Sequence, residues 1–359
     1  VFGGRPRARI SSQCQKRAVR LHYQQHSALD PTHFANRSRS WLSQLKPLLI
    51  EAEIEADKAE LAAKLALSVL GADEDPKNPS KTKTILFLGQ TEIEAIADIL
   101  IKNWAAIEPG LKGKTPALPK KDPNIHKVIE KSLATTGKPG DVALFGRMMA
   151  SLPSVNVDAA VQMAHAIGVN KLQQEFDFFT AVDDLSDTRD PDAEEDSGAD
   201  HLGETGYNSS TYYRFTVVDT KQLAKNLGSD DQLTAIMQAF AEAFVQAIPT
   251  GHQNGFAAHS LPAAVMIVVR DGQPVSLVDA FEAPVAPNHS KSLLANAVSR
   301  LDSHWDDLAK MYGTQAVKFK GIVTRTQLAE QLKHLADVEK PSVEVLLNEA
   351  IAAAFSESE

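Results

Sequence analysis

The order of helical and strand-like segments constrains the fold of this chain more than any other feature of its sequence. Helical patterns dominate up to residue 139, and from residue 140 strand-like segments alternate with helices. The predicted helices of the first part cover residues 11–25, 34–45, 46–70, 91–106 and 123–135. Strands flanked by helices fit an α+β sandwich, in which helices cover one face of a sheet. The sequence therefore predicts an α+β fold with a helical insertion at residues 30–139.

The second part of the chain carries the segments from which we predict the sheet. Short runs of β-branched and aromatic residues bounded by turn residues are typical of strands. The predicted strands are "DVALFGRMM", "EFDFFTAV", "SSTYYRFTVV" and "AVKFKGIV", with a hairpin turning at Asp271-Gly272 in "AAVMIVVRDGQPVSLVDAF". The predicted helices are "VDAAVQMAHAIG", which Asn156 opens, and residues 230–248, 291–312, 325–337 and 341–355.

The bulk composition excludes several classes of protein. The chain has 359 residues, of which 43% are hydrophobic and 23% charged, as in ordinary globular proteins. Its one cysteine, Cys14, excludes an internal disulfide framework and a cysteine-based zinc site. No apolar run approaches the roughly 18 residues that a membrane-spanning helix needs. We therefore expect a cytoplasmic protein.

Charge is distributed very unevenly along the chain. The net charge is −9, yet residues 1–29 contain six Arg or Lys residues and no acidic one, so the remainder carries −15. From Asp183 to Glu204 the sequence holds ten acids against a single Arg189. The local field, more than the net charge, decides what binds at a surface. The first 29 residues therefore predict a cationic surface on an acidic protein.

The basic opening has the pattern of a segment that follows a phosphodiester backbone. Arg5, Arg7 and Arg9 alternate, so an extended segment would project all three to one side. A helix then begins with Ser12 as N-cap and Gln15 closing a capping box. Its apolar stripe is Cys14, Ala18 and Leu21, and its polar face is Gln13, Lys16, Arg17, Arg20 and Gln24. A helix N-terminus favours an anion. The alternative interpretation is a solvated basic face with no ligand.

Three further motifs leave alternatives open. "GLKGKT" lacks the first glycine of a phosphate-binding loop, because Glu108 stands there, and we interpret it as a basic linker. Asp183, Asp184 and Asp187 with His201 could form a hydrolytic metal site, although the composition favours a disordered acidic loop. The Met and Phe residues of "GRMM" and "FDFF" could wedge between nucleobases or belong to the core.

Several segments, taken in order, resemble one known family. They are "FGGRPRARISSQCQKRA", "DVALFGRM", "HAI…DFFTAVDDL", "HLG…SSTYYR" and "VSLVDAFEAPV". The chain is similar in them to the backbone subunit of type I-E CRISPR Cascade, the CasC family. The resemblance implies a right-hand shape with an RRM-like (ferredoxin-like) palm, helical fingers and an extended thumb loop. It divides the chain into palm 1–29, fingers 30–139, palm 140–171, thumb 172–210, and palm with C-terminal helices 211–359.

The resemblance also implies a function without catalysis, metal or cofactor. Copies of such a subunit stack along a CRISPR guide RNA, contact other Cascade subunits and leave guide bases exposed to pair with target DNA. The RNA-binding residues expected by this resemblance are Arg5, Arg9, Ser11, Gln13, Lys16, Arg17, Arg20, Arg147, Met148, Phe179, His201 and Leu202. Within this set Met148 and Phe179 would flank a displaced base, and His201 and Leu202 would lie on the thumb. The alternative function is an RNA endonuclease of a related CRISPR effector that uses the thumb-loop aspartates Asp183 and Asp184.

Overall fold

The computed structural model describes residues 1–112, 115–181 and 201–356. The helices are α1 Ser12–His26, α2 Leu42–Glu51, α3 Ala56–Val69, α4 Gln90–Lys102, α5 Trp104–Leu111, α6 Ile125–Thr135, α7 Gly140–Phe145, α8 Thr220–Leu227, α9 Leu233–Gln246, α10 Gln253–Phe256, α11 Leu293–Tyr312 and α12 Val343–Phe355. The strands are β1 Arg9–Ile10, β2 Ala35–Ser38, β3 Glu74–Asp75, β4 Asn78–Thr82, β5 Leu86–Gly89, β6 Val161–Met163, β7 Ala166–Gly168, β8 Glu175–Ala181, β9 His201–Tyr207, β10 Tyr212–Tyr213, β11 Thr216–Val218, β12 Ala264–Arg270 and β13 Val317–Thr324. This mixture of helices and small sheets confirms the α+β prediction.

The chain divides into two compact units, each assembled from separate stretches of sequence. The first unit comprises residues 1–12, 164–215 and 263–341. The second comprises residues 13–163, 216–262 and 342–359. The five-part division into palm, fingers and thumb, and the right-hand shape, stay predictions.

In the described residues of the first unit, the strands form three antiparallel sheets. β7 lies between β1 and β10, β12 pairs with β13, and β8 pairs with β9. The long helix α11 packs its buried side, including Val298 and Trp305, with Ile322 of β13 and Leu328. Asp302 on this helix is buried and accepts the backbone N–H groups of residues 333–335 at 2.9–3.2 Å, which satisfies a carboxylate inside the protein.

The second unit is mainly helical and has two larger cores. One core is built from α2–α6 with β5, where side chains such as Leu45, Ile96 and Ile129 are fully buried. The other core joins α1, α7, α8 and α9 around Tyr23 and Phe240. The short antiparallel pairs β2–β5, β3–β4 and β6–β11 complete the unit.

Several predicted elements are wrong in type. Within "DVALFGRMM" the structure has the short helix α7, and within "VDAAVQMAHAIG" it has the strands β6 and β7. The segment predicted as helix 34–45 begins with strand β2. The segment predicted as one helix over 46–70 is interrupted at residues 52–55, between α2 and α3. Residues 325–337 form two 3₁₀ helices, Thr326–Gln331 and Ala336–Val338.

The predicted hairpin at Asp271-Gly272 is also wrong. Its first strand is β12, but the antiparallel partner of β12 is β13, about fifty residues later in sequence. The segment predicted as the second strand contains the 3₁₀ helix Val278–Phe281 instead.

Within the described residues, no helix combines the length and the hydropathy needed to cross a membrane.

Candidate nucleic-acid interface

The N-terminal segment of the first unit is fixed as an edge strand. Phe2 and Arg5 exchange backbone hydrogen bonds around Gly3 and Gly4, which have φ values of 55° and 70°. A Cβ at Gly3 would lie 1.8 Å from the carbonyl oxygen of Glu282, so only glycine fits this turn. The chain then runs antiparallel to β7, with Arg9 opposite Ile167.

The three alternating arginines do not share one environment. Arg5 and Arg9 are exposed, as predicted for residues that meet a ligand. Arg7 is buried, and its guanidinium donates four hydrogen bonds of 2.7–3.1 Å to the carbonyl oxygens of Gly168, Val169, Phe281 and Glu282. The prediction that Arg7 projects with its neighbours is therefore wrong, because this side chain joins the N-terminal segment to two other parts of the unit.

The chain passes from the first unit to the second within the first turn of α1, after Ser12. The backbone N–H of Ser12 donates to Nδ1 of His165 at 3.2 Å within the first unit. Ser12 lies inside the helix instead of capping it, and the helix has no acidic residue in its first turn. An acid there would stabilise the helix dipole, so its absence leaves the positive end of the dipole without a compensating charge in that turn.

Helix α1 divides into a buried and a cationic side in the second unit. The buried residues are Gln15, Ala18, Val19 and Tyr23, which corrects the predicted stripe. Cys14 is exposed. On the other side Gln13 and Arg17 are exposed, while Lys16 and Arg20 are partly exposed. Lys16 and Arg20 are four residues apart, a spacing at which like charges destabilise a helix, and a bound polyanion would relieve that repulsion.

The guanidinium of Arg20 is held by a backbone carbonyl, although the residue remains partly exposed. Its Nη1 donates to the carbonyl oxygen of Ala35 at 3.4 Å, and Gln24 Nε2 donates to the same oxygen at 2.8 Å. Burial lowers the pKa of Arg20, whereas the charge of Asp141 acts in the opposite direction. The sequence did not indicate this anchoring, because Ala35 and Asp141 lie in other elements.

Asp141 organises this part of the second unit from the interior. Its carboxylate accepts the backbone N–H of Ala35 at 3.0 and 3.1 Å and Nε2 of Gln24 at 2.9 Å. Burial raises the pKa of Asp141 to about 6, although these hydrogen bonds and the charge of Arg20 act to lower it. The carboxylate therefore connects α7 with α1 and β2.

The predicted phosphate-binding cations on the N-terminal segments form no ion pair with any described carboxylate. In residues 1–38, all of which are described, no Arg or Lys has a carboxylate oxygen within 4.0 Å. The exposed cations Arg5, Arg9 and Arg17 thus lack a carboxylate partner in the described part of the chain. This stretch is suited to an anion from outside the protein.

Arg147 has a different environment from the one predicted. Its guanidinium forms an ion pair of 2.8 Å with Glu92, and both side chains are at most 1% exposed. It also donates to the carbonyl oxygens of Phe87 and Val155 at 3.2 and 3.3 Å. The structure contradicts a phosphate contact by this buried guanidinium. The next residue, Met148, is 85% exposed and remains a candidate for contact with a base.

The hairpin β8–β9 presents aromatic rings to solvent. Phe176, Phe178 and Phe179 are between 55% and 67% exposed. Phe179 pairs with Gly203, and its ring lies over this glycine so closely that a Cβ there would come within 2.2 Å of ring atom Cζ. His201 and Leu202 belong to β9 and pair through the backbone with Ala181 and Thr180. The exposed rings are available for contacts outside the chain.

Part of the sequence prediction lies outside the described residues. Asp183, Asp184 and Asp187, and the acidic run 187–200, fall in this category. In the described ranges, no group of three or more His, Cys, Asp or Glu residues could hold a metal ion. Ser11 lies in the first unit, between β1 and α1, and is partly exposed.

Comparisons with known proteins show the family to which the chain belongs. The profile of the family described as CT1975-like protein matches residues 1–349. The chain belongs to the CT1975-like protein family. No curated protein matches it. Among solved structures, a chain of a "CRISPR RNA-guided surveillance complex, pre-nicking" is 30% identical with a TM-score of 0.80, covering 99% of this chain and 93% of that one. A chain of a "CRISPR RNA-guided surveillance complex" is 26% identical with a TM-score of 0.70, covering 99% and 92%. This CT1975-like chain is therefore similar, over nearly its whole length, to components of Cascade-type surveillance complexes.

Proposed function

We propose that this CT1975-like protein is a non-catalytic backbone subunit of a Cascade-type surveillance complex, of the type I-E CasC kind. Several copies would bind side by side along one CRISPR guide RNA in the prokaryotic cytoplasm. Together with other Cascade subunits they would hold the guide so that its bases pair with invading target DNA. Sequence would then be read by base pairing, and the protein would contact the RNA backbone.

One observation carries this proposal. The strand and helix that open the chain bear Arg5, Arg9, Lys16 and Arg17, and no carboxylate of the described chain lies within ion-pair distance of them. Contacts to phosphates fix the position of a nucleic acid without reading its sequence. A guide RNA differs in sequence from one complex to the next, so this is the kind of contact that such a subunit needs.

The exposed apolar side chains support the same function. Met148 is 85% exposed and Phe179 is 55% exposed, although burial of either side chain would stabilise a protein with no partner. Aromatic side chains stack on bases of any identity, and other apolar side chains such as Met wedge between them. We therefore assign Met148 and Phe179 to a base displaced from the guide, with His201 and Leu202 on the same hairpin as Phe179.

Copurification of RNA tests this function. The chain would be expressed with a CRISPR array, and the RNA retained after purification would be measured by the absorbance ratio at 260 and 280 nm and by gel. We expect a uniform small RNA with the wild-type chain and its loss in the double variant Lys16→Ala/Arg17→Ala. The double variant Lys102→Ala/Lys310→Ala is the matched control, because both of its lysines are exposed helical cations that already pair with an aspartate.

The outcomes separate binding from catalysis. Equal RNA retention in wild type and Lys16→Ala/Arg17→Ala would contradict the proposed interface. A second assay would incubate the complex with complementary RNA and Mg²⁺ or Mn²⁺. We expect no cleavage. Cleavage that disappears in Asp183→Ala/Asp184→Ala would replace the proposal with the endonuclease function.

A further inference from the structure

Arg37, an arginine outside the predicted RNA-binding set, lies beside Arg20. Arg37 belongs to β2, and its pairing partner on β5 is Phe87. The guanidinium carbon of Arg37 lies 4.7 Å from the centroid of the Phe87 ring, which is a cation–π distance. Arg37 itself is exposed.

The same ring carries the guanidinium of Arg20. Its carbon lies 5.4 Å from the Phe87 centroid, so two cations of separate elements share one aromatic side chain. Burial lowers the pKa of Arg20 most and the charge of Asp141 raises it, while the charges of Arg37 and Arg17 lower it further, so each of these two arginines repels Arg20. An arrangement that gathers like charges is stabilised when an anion binds between them.

The hydrogen-bonding groups of Arg37 remain available. Within the described part of the chain, its guanidinium contacts neither a carboxylate nor a hydrogen-bond acceptor. Arg39, two residues further along, differs in this respect. Its guanidinium pairs with Asp75 and donates to the carbonyl oxygen of Thr82. The contrast indicates that Arg37 does not serve the stability of its own unit in the way that Arg39 does.

Stacking on Phe87 prepares Arg37 for a phosphate. A guanidinium presents a planar fork that binds two phosphate oxygens at once, which an ammonium group does not. The ring restricts the rotation of this fork before any ligand arrives, so less conformational entropy is lost on binding. The guanidinium of Arg20 is restricted as well, by its hydrogen bond to the carbonyl oxygen of Ala35 and by the same ring.

We propose that Arg37, held on Phe87 beside Arg20, is an additional ligand for a phosphate of the bound RNA. This inference rests on the proposed function, since it adds a contact to the same RNA. The contact is with the phosphodiester, so it carries no preference for a base. It extends the cationic side of α1 onto strand β2, a region that no sequence motif assigned to RNA.

The test is a salt titration of binding to a fluorescently labelled single-stranded RNA of mixed sequence, with the full chain. For Arg37→Gln we expect affinity to fall roughly three- to tenfold near 0.15 M salt, and the slope of log affinity against log salt to become shallower by about 0.7, because one phosphate contact is lost. Arg37→Lys keeps the charge but not the fork, so we expect the wild-type slope and a smaller loss of affinity. Arg39→Gln is the matched control, with the same change of formal charge two residues away and the wild-type slope and affinity.

Each other outcome has a defined meaning. If Lys16→Ala/Arg17→Ala loses RNA binding while Arg37→Gln keeps the wild-type slope and affinity, the inference is wrong and the proposed function stands. If neither variant changes binding, both are wrong. A parallel titration with single-stranded DNA identifies the strand, and an effect of Arg37→Gln on DNA alone would overturn the assignment to RNA. Thermal melting of Arg37→Gln and Arg37→Lys checks that both variants fold like wild type.

Discussion

Two neighbouring stretches of the chain carry similar positive charge and use it in opposite ways. Residues 1–38 contain seven Arg or Lys residues, none of which has a carboxylate oxygen within 4.0 Å in the described structure. Residues 39–112 contain nine, and six of them form ion pairs. In the second stretch these six cations pair with acidic residues of their own unit. In the first stretch, Arg7 and Arg20 donate hydrogen bonds to backbone carbonyl oxygens. The other five cations are exposed or partly exposed and form no ion pair in the described structure.

The difference teaches that the number of charges does not measure the charge available to a ligand. Lys64 lies within 3.0 Å of both Glu60 and Glu74, so much of its field is cancelled locally. Arg17 has no carboxylate within ion-pair distance among the described residues. An acidic protein with a net charge of −9 can therefore present a cationic surface, provided that its acids lie elsewhere.

The largest expected effect comes from a cation that is paired in the interior. Arg147→Ala leaves the Glu92 carboxylate buried without its partner, so we expect the free energy of unfolding to fall by about 3–5 kcal/mol. Urea denaturation measures the change. The double variant Arg147→Met/Glu92→Leu removes both charges and should recover most of the loss. A loss below about 1 kcal/mol in Arg147→Ala would contradict a buried ion pair.

Arg7 tests whether an arginine without a carboxylate partner can still be structural. In Arg7→Lys, the ammonium group cannot reach the four carbonyl oxygens that the guanidinium joins, so we expect a loss of about 2–3 kcal/mol in the free energy of unfolding. The exposed neighbour provides the control, since Arg9→Lys should change stability by less than about 0.5 kcal/mol. Equal stability of the two variants in urea denaturation would show that the carbonyl contacts contribute little.

The raised pKa of Asp141 predicts that the free energy of unfolding depends on pH. The pKa of this carboxyl is raised from 3.8 to about 6 in the folded protein, so between these values the folded state binds the proton more tightly than the unfolded state. Its contribution to the free energy of unfolding therefore falls as pH rises from 4 to 6, by up to about 3 kcal/mol, and is constant above that window.

Asp141→Asn removes the titrating group while keeping an oxygen that can accept the N–H of Ala35. Denaturation of both proteins between pH 4 and 7 measures the effect. The stability of the variant relative to wild type should rise across this range. A constant difference would mean that the carboxyl titrates at its ordinary pKa.

The smallest effect is expected at the paired surface of residues 39–112. Lys64→Ala removes two partly exposed ion pairs, and such pairs contribute about 0.2–1 kcal/mol each. We expect a loss of about 0.4–2 kcal/mol in urea denaturation, together with unchanged RNA affinity. Weaker RNA binding in this variant would erase the distinction between the two stretches.

The sequence predicted those elements whose own residues determine them. Helix α1 and strand β8 lie where their patterns placed them, because the 3.6-residue spacing and the run "EFDFF" are strong local signals. The α+β class followed from the order of such segments. The cationic character of the opening residues was also predictable, since composition alone supplies it.

Elements that depend on distant partners were not predictable. "VQMAHAIG" contains alanines that favour a helix, yet β6 pairs with β11 and β7 pairs with β1 and β10, so tertiary pairing decides the structure. "DVALF" is an apolar run too short for its period to separate strand from helix. Its first residue, Asp141, is fixed by the backbone of Ala35 more than a hundred positions earlier.

The same reason explains which site residues were misjudged. Arg7 and Arg147 look like their exposed neighbours in sequence, but their acceptors are carbonyl oxygens and a carboxylate from other elements. Arg37 was missed for the converse reason, because no motif surrounds it and its ring partner lies fifty residues further along.

Phe87 has a consequence for how such a surface can change during evolution. Its ring is almost completely buried with Ala35, Val142 and Val157, while Arg20 and Arg37 rest against it. A smaller apolar residue at this position would remove the ring that restricts both guanidiniums, so each would sample more conformations although no charged residue had changed. Under the proposed function, variation in the hydrophobic interior of the family would change the affinity for RNA in variants whose surface charges are identical.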